Sequence, residues 1–299
     1  MNFTTSKVVY SMKKLFDFLI YGNFLIAACA AFQAWQTIYI RHYSVDGNPQ
    51  IIFIFAATFF LYNIHKPLTF YLKKDLFGDI TAFDERTKKR LNKSKDFETP
   101  LSILTFTAGM VSLECYLRFY VDIQWQLMGV GLLSMAYVLP IWKGKRLRDI
   151  PYLKVFVIAG VWAFVTVIFP LKSFAKEWYT CDTFMIFERM AFILAITLPF
   201  DIRDMEWDKK TGVKTIPLSM GIKKTKILSY SLLLLSFLIA VFIFSMTVYT
   251  INTLVAISLS LLVSAYLIYK VDEKRGDYFY YVFIDGMLLL QSVLVCFIF

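Results

Sequence analysis

Charged residues are scarce in this sequence. They make up 18% of its 299 residues, whereas soluble domains carry about a quarter. With 58% hydrophobic residues and a mean hydropathy of +0.59, the composition excludes an ordinary soluble domain and predicts an integral membrane protein. The 30 Phe and 18 Tyr agree with this prediction, because aromatic side chains suit both the lipid face and the headgroup boundary.

Cysteine is rare too, and the short motifs of several enzyme classes are missing. The four cysteines have no CxxC spacing, so they indicate neither a disulfide framework nor a metal knuckle. No glycine-rich phosphate loop, HExxH or GxSxG motif occurs. The N-terminal segment also lacks a small-residue cleavage pattern, and we therefore interpret the first apolar run as a retained membrane span.

Nine apolar segments are long enough to cross a bilayer, whose hydrocarbon core needs about 20 residues of helix. No linker or second domain is visible between them. The sequence therefore predicts one domain over residues 1–299, with an all-α, polytopic membrane fold. The candidate spans lie near residues 15–40, 50–72, 100–120, 123–142, 151–170, 182–200, 226–248, 251–270 and 278–299.

Lysine and arginine are concentrated in alternate connections between these spans. The N-terminal segment and the second, fourth, sixth and eighth loops are basic, whereas the odd-numbered loops are nearly bare. By the positive-inside rule, this places the N-terminus in the cytoplasm and the C-terminus outside, and we expect a bacterial inner (plasma) membrane. The net charge of +10 then reflects topology and anionic lipid, with no nucleic-acid partner. The two histidines, His42 and His65, fall on opposite sides, which excludes a shared His–His metal site.

An acidic stretch follows the sixth span and reads DIRDMEWDKKTGVKTIPLSMG from Asp201 to Gly221. If the helix continues, Asp201, Asp204 and Asp208 have i, i+3, i+7 spacing and share one face. Carboxylate oxygens of this kind suit Mg²⁺, which also bridges to substrate phosphates. The alternative is an acidic helix end that Arg203 and the neighbouring lysines balance.

The pattern DxxDxxxDxxxGxxTxPxxxG resembles the second aspartate motif of the UbiA prenyltransferase superfamily. The resemblance implies nine transmembrane helices around a central cavity that opens to the cytoplasm. It also implies that the aspartates hold Mg²⁺ against the diphosphate of an isoprenoid donor. The residues that carry it are Asp201, Asp204, Asp208, Gly212, Thr215 and Gly221.

The first aspartate motif of that family, Asn-Asp-xx-Asp-xxx-Asp, is degenerate in this sequence. Asn63 stands where the family has its asparagine, and the resemblance implies that it orients a metal or a phosphate oxygen. Ile64, Pro67 and Tyr71 occupy the carboxylate positions. Without those carboxylates, one of the two metal positions implied by the resemblance loses its protein ligands.

Other polar groups near this point could compensate. Lys66 could contact a phosphate directly as a point charge. Asp75 and Asp79 follow at i, i+4 spacing and could supply carboxylates if the loop folds back. Alternatively, His65 and Lys66 mark the membrane boundary and the two aspartates are solvated.

The end of the fourth span, SMAYVLPIWKGKRLRDIP, loosely resembles a further family pattern of Tyr-x-x-Pro followed by basic residues. Tyr137, Pro140, Lys145, Arg146 and Arg148 fit this pattern. Cations here could bind diphosphate and assist its departure, because negative charge builds on the leaving oxygens. The alternative for these cations is a purely topological role.

Ionisable residues inside the spans are costly and are therefore candidates for function. Glu188 and Arg189 are adjacent, so their side chains point about 100° apart on a helix. We expect each to find a partner on another helix in a structural ion-pair role. Asp285 and Gln291 could line the cavity or fix helix contacts, which the sequence does not distinguish, and it leaves the role of Glu114 open.

The predicted function is Mg²⁺-dependent transfer of a prenyl group from an isoprenoid diphosphate to a small aromatic or lipid acceptor, on a quinone or related lipid pathway. One alternative is a degenerate family member that binds an isoprenoid or lipid diphosphate without transferring it, as the missing first-motif carboxylates suggest. Another is a small transporter, which should show an internal repeat with paired broken helices; none is visible.

Overall fold

The computed structural model describes residues 2–43, 49–77, 97–139, 146–174 and 177–298, without the side chains of residues 2–11 and 65–77. Within these ranges, every regular element is helical. A short 3₁₀ turn, Leu147–Asp149, precedes α6. The helices are α1 (Asn2–Tyr21), α2 (Phe24–Ile40), α3 (Pro49–Phe77), α4 (Glu98–Leu117), α5 (Val121–Val138), α6 (Leu153–Phe174), α7 (Thr180–Arg203), α8 (Met205–Thr211), α9 (Ile216–Ser245), α10 (Ile251–Tyr269) and α11 (Phe279–Ile298).

Six of these helices are long and apolar enough to cross a membrane: α4, α6, α7, α9, α10 and α11. Each coincides with a predicted span, and together they confirm an integral membrane protein. Helices α1 and α2 would form a seventh span if they cross as one unit. In the described ranges, α3 has a shorter apolar part over Pro49–Ile64 and α5 is not among the candidates, so the predicted count of nine is not confirmed.

The first predicted span is broken into two helices that meet at 60°. Asn23 lies at the joint in the left-handed conformation, with φ 64°, and this ends the regular helix. Gly22 precedes it in a space that admits no side chain, because a Cβ there would clash with the carbonyl oxygen of Phe18 and lie 2.9 Å from Leu101. A single straight helix therefore cannot run through this point.

Helix α7 is the centre of the bundle, since 61% of its apolar window is buried, against 17% for α4. It packs against α6 and α9, and Phe192, Ile193 and Leu198 along it are buried. By contrast, α9 exposes large apolar side chains such as Leu234 and Leu238. These outward apolar faces suit a lipid environment. The C-terminal end of α7, by contrast, is buried at Asp201 and Ile202.

The intramembrane ionisable pair on α7 finds its partners on other helices, as predicted. Glu188 accepts a hydrogen bond of 2.9 Å from Ser236 on α9. Arg189 donates to the backbone oxygen of Gln33 on α2 at 3.1 Å and to the hydroxyl of Thr166 on α6 at 3.3 Å. This buried network connects α2, α6, α7 and α9 at a point on α7 before the acidic stretch.

Candidate active site

The acidic stretch begins inside the bundle and breaks at its middle aspartate. Helix α7 ends at Arg203, Asp204 has φ −92° and ψ 5°, and α8 begins at Met205. Asp201 and Asp208 are 2% and 4% exposed, whereas the side chain of Asp204 is 25% exposed. The continuous helix that would place all three carboxylates on one face is therefore not formed.

Asp201 and Asp208 converge on the ammonium of Lys154. The Nζ atom of Lys154 lies 2.6 Å from Oδ1 of Asp201 and 4.0 Å from Oδ2 of Asp208. Lys154 lies in the first turn of α6 and is itself buried. Tyr152, just before this helix, has a left-handed φ of 63°, and its N–H donates to the backbone oxygen of Lys214 at 3.2 Å. This contact ties the start of α6 to the loop after α8, and so helps to position Lys154 beside the acidic segment.

Asp204 has a different cationic partner. The Nε and Nη2 atoms of Arg203 donate to its two carboxylate oxygens at 2.8 and 3.0 Å. The Arg203 guanidinium also lies over the rings of Phe200, Tyr280 and Tyr281, at 4.9, 5.3 and 5.4 Å from their centres. These contacts fix the position of the Arg203 guanidinium. Asp204 is therefore paired with Arg203, whereas Asp201 and Asp208 face Lys154.

Arg148 brings a further cation to the acidic segment from the 3₁₀ turn before α6. Its guanidinium lies 5.6 Å from the centre of the Tyr137 ring. Burial disfavours the charge, but Tyr137 and the carboxylates of Asp208 and Asp204 outweigh it and raise the pKa of Arg148. Burial likewise raises the pKa of Asp208 to about 6; Asp204 and Asp201 add to the shift, whereas Lys154 and Arg148 oppose it.

A cavity of about 340 Å³ lies between α2, α3, α5 and α6. Most of its lining is apolar, and Tyr62, Tyr137, Trp162 and Arg148 supply the larger polar or aromatic groups. Arg148 thus contributes to the cavity wall and is also electrostatically coupled to Asp208. The apolar cavity and the buried charges adjoin here, because Val157 and Ile158 line the cavity one turn after Lys154, which contacts Asp201.

Comparison with known proteins assigns a family to this arrangement. The UbiA prenyltransferase family matches residues 78–288 of the chain, which include the acidic segment and the Arg148 turn. This chain belongs to the UbiA prenyltransferase family. A search of the curated proteins found no match.

Solved UbiA structures share the fold at low sequence identity. A UbiA homologue from Archaeoglobus fulgidus bound to GPP and Mg²⁺ is 13% identical, with a TM-score of 0.64, covering 94% of this chain and 99% of that chain. A structure of such a homologue bound to DMAPP and Mg²⁺ is 14% identical, with a TM-score of 0.61 and coverages of 95% and 100%. A digeranylgeranylglyceryl phosphate synthase structure is 16% identical, with a TM-score of 0.54 and coverages of 95% and 99%.

The first UbiA motif is represented in the described part by Asn63, and the amide of this residue makes three hydrogen bonds within the fold. Its Nδ2 donates to the backbone oxygens of Gly22 and Phe59, each at 2.9 Å, and its Oδ1 accepts from Asn23 at 2.9 Å. Asn63 thereby fastens α3 to the joint between α1 and α2. Donation to a phosphate would require these N–H bonds to be exchanged, whereas Oδ1 keeps a second lone pair that a metal could use.

Several other predicted site groups lie outside what the structure describes. The side chains of Lys66 and Asp75 belong to the undescribed side chains of α3, and Asp79 and Lys145 lie in undescribed segments. Their predicted contacts with a phosphate or a metal therefore stay predictions. The structure brings together Tyr137, Arg148, Asp201 and Asp208, with Asp204 held beside them by Arg203.

The carboxylates offer a partial fit to Mg²⁺. Among the described residues, no group of three His, Cys, Asp or Glu side chains is placed to hold a metal ion. Two buried carboxylates nevertheless converge on one cationic position, and Oδ2 of Asp208 accepts no hydrogen bond from the described residues. Hard oxygen ligands of this kind suit one Mg²⁺ whose remaining positions are filled by water and phosphate.

Lys154 is a residue of the candidate site that the sequence interpretation did not single out. It lies just beyond the basic fourth loop, and this position does not show that it faces the aspartates. The available signal was a lysine in the first turn of an apolar span, on the same membrane side as the acidic stretch. That signal indicates a buried partner without identifying it.

Proposed function

We propose that this UbiA protein catalyses Mg²⁺-dependent transfer of a prenyl group from an isoprenoid diphosphate to an acceptor within the membrane. The observation that carries the proposal is that a cluster of buried charges adjoins an apolar cavity at Arg148. A ligand with a highly charged head and an apolar tail is complementary to two such adjoining environments. The Archaeoglobus fulgidus homologues bound to GPP or DMAPP with Mg²⁺ support the same ligand class.

In this proposal, the aspartates and the neighbouring cations hold the diphosphate. Asp201 and Asp208 supply carboxylate oxygens for the metal, and Asp204 adds another if its pair with Arg203 opens. When bound, Mg²⁺ neutralises charge that develops on the leaving diphosphate. Arg148 donates hydrogen bonds to the same leaving group, while contact with the Tyr137 ring keeps its guanidinium in place.

The cavity receives the prenyl chain. Its apolar lining favours a hydrocarbon, and Tyr62 and Trp162 place aromatic rings along the wall. Such rings stabilise a positive charge near their faces, as an allylic cation requires when the C–O bond breaks. From the sequence alone, we also propose that Lys66 and Lys145 bind the diphosphate.

We further propose that the acceptor is a small aromatic or lipid molecule on a quinone or related pathway. The site would open to the cytoplasm through a central cavity of a nine-helix bundle. The positive-inside distribution of basic residues supports this orientation, with the N-terminus inside a bacterial inner membrane.

A degenerate UbiA protein that binds a lipid diphosphate without transferring its chain is the second candidate. Two observations favour it: Lys154 occupies the point between Asp201 and Asp208, and the Asn63 amide is engaged by the fold. Both features reduce the number of protein groups that are free to ligate metal.

Pyrophosphate release from labelled geranyl, farnesyl and geranylgeranyl diphosphates, measured in proteoliposomes with and without Mg²⁺, tests the proposal. We expect Mg²⁺-dependent release that falls roughly 10²-fold in Asp208→Asn and in Arg148→Met. Lys223→Met, which removes an exposed cation at the start of α9, is the matched control and should retain wild-type release. Metal-dependent binding without release, with candidate acceptors present, would favour the degenerate protein; no binding of any chain length would overturn both functions.

A further inference from the structure

The charges at the convergence point already balance without a metal. Lys154 lies beside Asp201 and Asp208, Arg148 adds a second positive charge that acts on Asp208, and the charge of Asp204 is paired with Arg203. Lys154, Asp201 and Asp208 are all buried, at 9%, 2% and 4% exposure, so solvent screens their interaction only weakly. An ion entering this point must therefore compete with a cation that the chain itself supplies.

The ammonium lies between the two carboxylates, nearer to Asp201. It lies 2.6 Å from Oδ1 of Asp201 and 4.0 Å from Oδ2 of Asp208, between carboxylates seven residues apart. Within the described part of the chain, neither of these two oxygens meets a donor other than the Lys154 ammonium. Their compensation therefore comes from charge on Lys154.

We propose that Lys154 is a built-in cation that replaces a divalent ion at this point. Its ammonium keeps the two carboxylates together and excludes divalent ions from between them in the ligand-free protein. Removing the charge while keeping the length of the side chain should therefore create a metal site from Asp201 and Asp208. This inference concerns the ligand-free protein and does not depend on prenyl transfer.

A consequence for substrate binding rests on the proposed function. A diphosphate carries more negative charge than one carboxylate and can draw the Lys154 ammonium toward itself. The two aspartates are then released for Mg²⁺, so that the metal joins the site together with the diphosphate. Linkage requires the effect to be reciprocal, so each of the two ligands raises the affinity for the other.

Mn²⁺ binding to the purified ligand-free protein, measured by the loss of the free-ion electron paramagnetic resonance signal, tests the inference. We expect Lys154→Met to bind Mn²⁺ at least tenfold more tightly than the wild type. Lys154→Arg, which keeps the charge, should resemble the wild type, and Lys154→Met/Asp201→Asn should lose the gained site. Lys172→Met, an exposed lysine near the far end of α6, is the matched control and should bind like the wild type.

Equal Mn²⁺ affinity in the wild type and Lys154→Met would overturn the inference, whatever the outcome of the transfer assay. If Lys154→Met purifies only with Mn²⁺, a Mn²⁺-dependent rise in its thermal stability, absent from Lys154→Arg, supports it. If the variant cannot be purified at all, Mn²⁺ binding to the wild type tests the inference. A tight wild-type Mn²⁺ site that Asp208→Asn removes overturns the inference, and the absence of such a site supports it.

Discussion

At the scale of single residues, the position of Arg148 depends on a neighbouring ion pair. Arg146 donates through its backbone N–H and its Nε to Oδ2 of Asp149 at 3.0 and 2.9 Å, and through Nη2 to Oδ1 at 2.8 Å. These bonds close the 3₁₀ turn that carries Arg148 between its two ends. Asp149 therefore acts on the site through the backbone of the turn, without touching the cavity.

We expect Asp149→Asn to lower the free energy of unfolding by roughly 1–2 kcal/mol at pH 7, because it replaces a charge-assisted bidentate pair. Burial opposes ionisation of Asp149, but the hydrogen bonds and charge of Arg146 outweigh it and hold the pKa below its ordinary value. The stabilisation is fully present above that ordinary value and is lost as the pH falls through the lower pKa of the folded protein. Thermal unfolding in detergent between pH 3 and 7 measures both effects.

Asp122→Asn is the control for this prediction, since Asp122 is an exposed aspartate in the first turn of α5. It should change the free energy of unfolding by less than about 0.5 kcal/mol. If Asp149→Asn loses as much stability on acidification as the wild type does, Asp149 is not the source of that pH dependence.

The position of Asn63 was predictable from the sequence, whereas its hydrogen-bond partners were not. The motif identifies its position, and the asparagine is there. Besides the backbone of Phe59 in its own helix, however, its partners are the backbone of Gly22 and the amide of Asn23, about 40 residues earlier. These partners lie at a left-handed turn, which hydrophobic periodicity does not predict. The hydrogen bonds of the Asn63 amide could therefore not be predicted from the sequence.

At the scale of elements, the joint between α1 and α2 depends on the absence of a side chain at Gly22. A Cβ there would clash with the carbonyl oxygen of Phe18, and it would lie 2.9 Å from Leu101 and 3.0 Å from Phe24. We expect Gly22→Ala to lower the free energy of unfolding by roughly 1–3 kcal/mol, because overpacking must displace backbone or neighbouring helices. Thermal or denaturant unfolding in detergent measures this change.

Gly129→Ala is the matched control, because a Cβ at Gly129, inside α5, meets no atom within 4 Å. Alanine is the better helix former, so this variant should be unchanged or more stable by up to about 1 kcal/mol. Equal destabilisation by the two substitutions would argue that the loss comes from something other than steric conflict at the joint.

The elements themselves were largely predictable, whereas their ends were not. Apolar length located α4, α6, α7, α9, α10 and α11, because a bilayer imposes that length on any span. The break at Asp204 was missed, since i, i+3, i+7 spacing implies one face only if the helix is continuous. The bidentate pair between Arg203 and Asp204 joins neighbouring residues, and helical periodicity contains no signal for it.

At the scale of the whole molecule, the site arises from the packing of α6 against the end of α7. The family motif predicted where the aspartates lie, but it did not predict that Lys154 lies between two of them. That contact joins residues 47 positions apart, 154 and 201, and depends on how α6 enters the bundle. Sequence reasoning thus identified the acidic side of the site, and only the fold identified its internal cation.

The orientation of the bundle can be tested on α10, which separates a bare loop from a basic one. Thr247 precedes this helix and Lys274 follows it, and both side chains are exposed. Under the positive-inside prediction, Thr247 faces the outside and Lys274 the cytoplasm. In intact bacteria, a membrane-impermeant maleimide should label Thr247→Cys at once and Lys274→Cys only after the membrane is opened.

The native cysteines favour a low background in this measurement, because Cys29, Cys115 and Cys181 are buried and Cys296 is partly buried. The reverse labelling pattern would place the aspartates and Arg148 on the outer side, where a cytoplasmic diphosphate cannot reach them. Labelling of both positions from one side would mean that α10 does not cross the membrane. The expected pattern would place α10 across the membrane and assign the basic loop after it to the cytoplasm, the side on which the proposed diphosphate site must open.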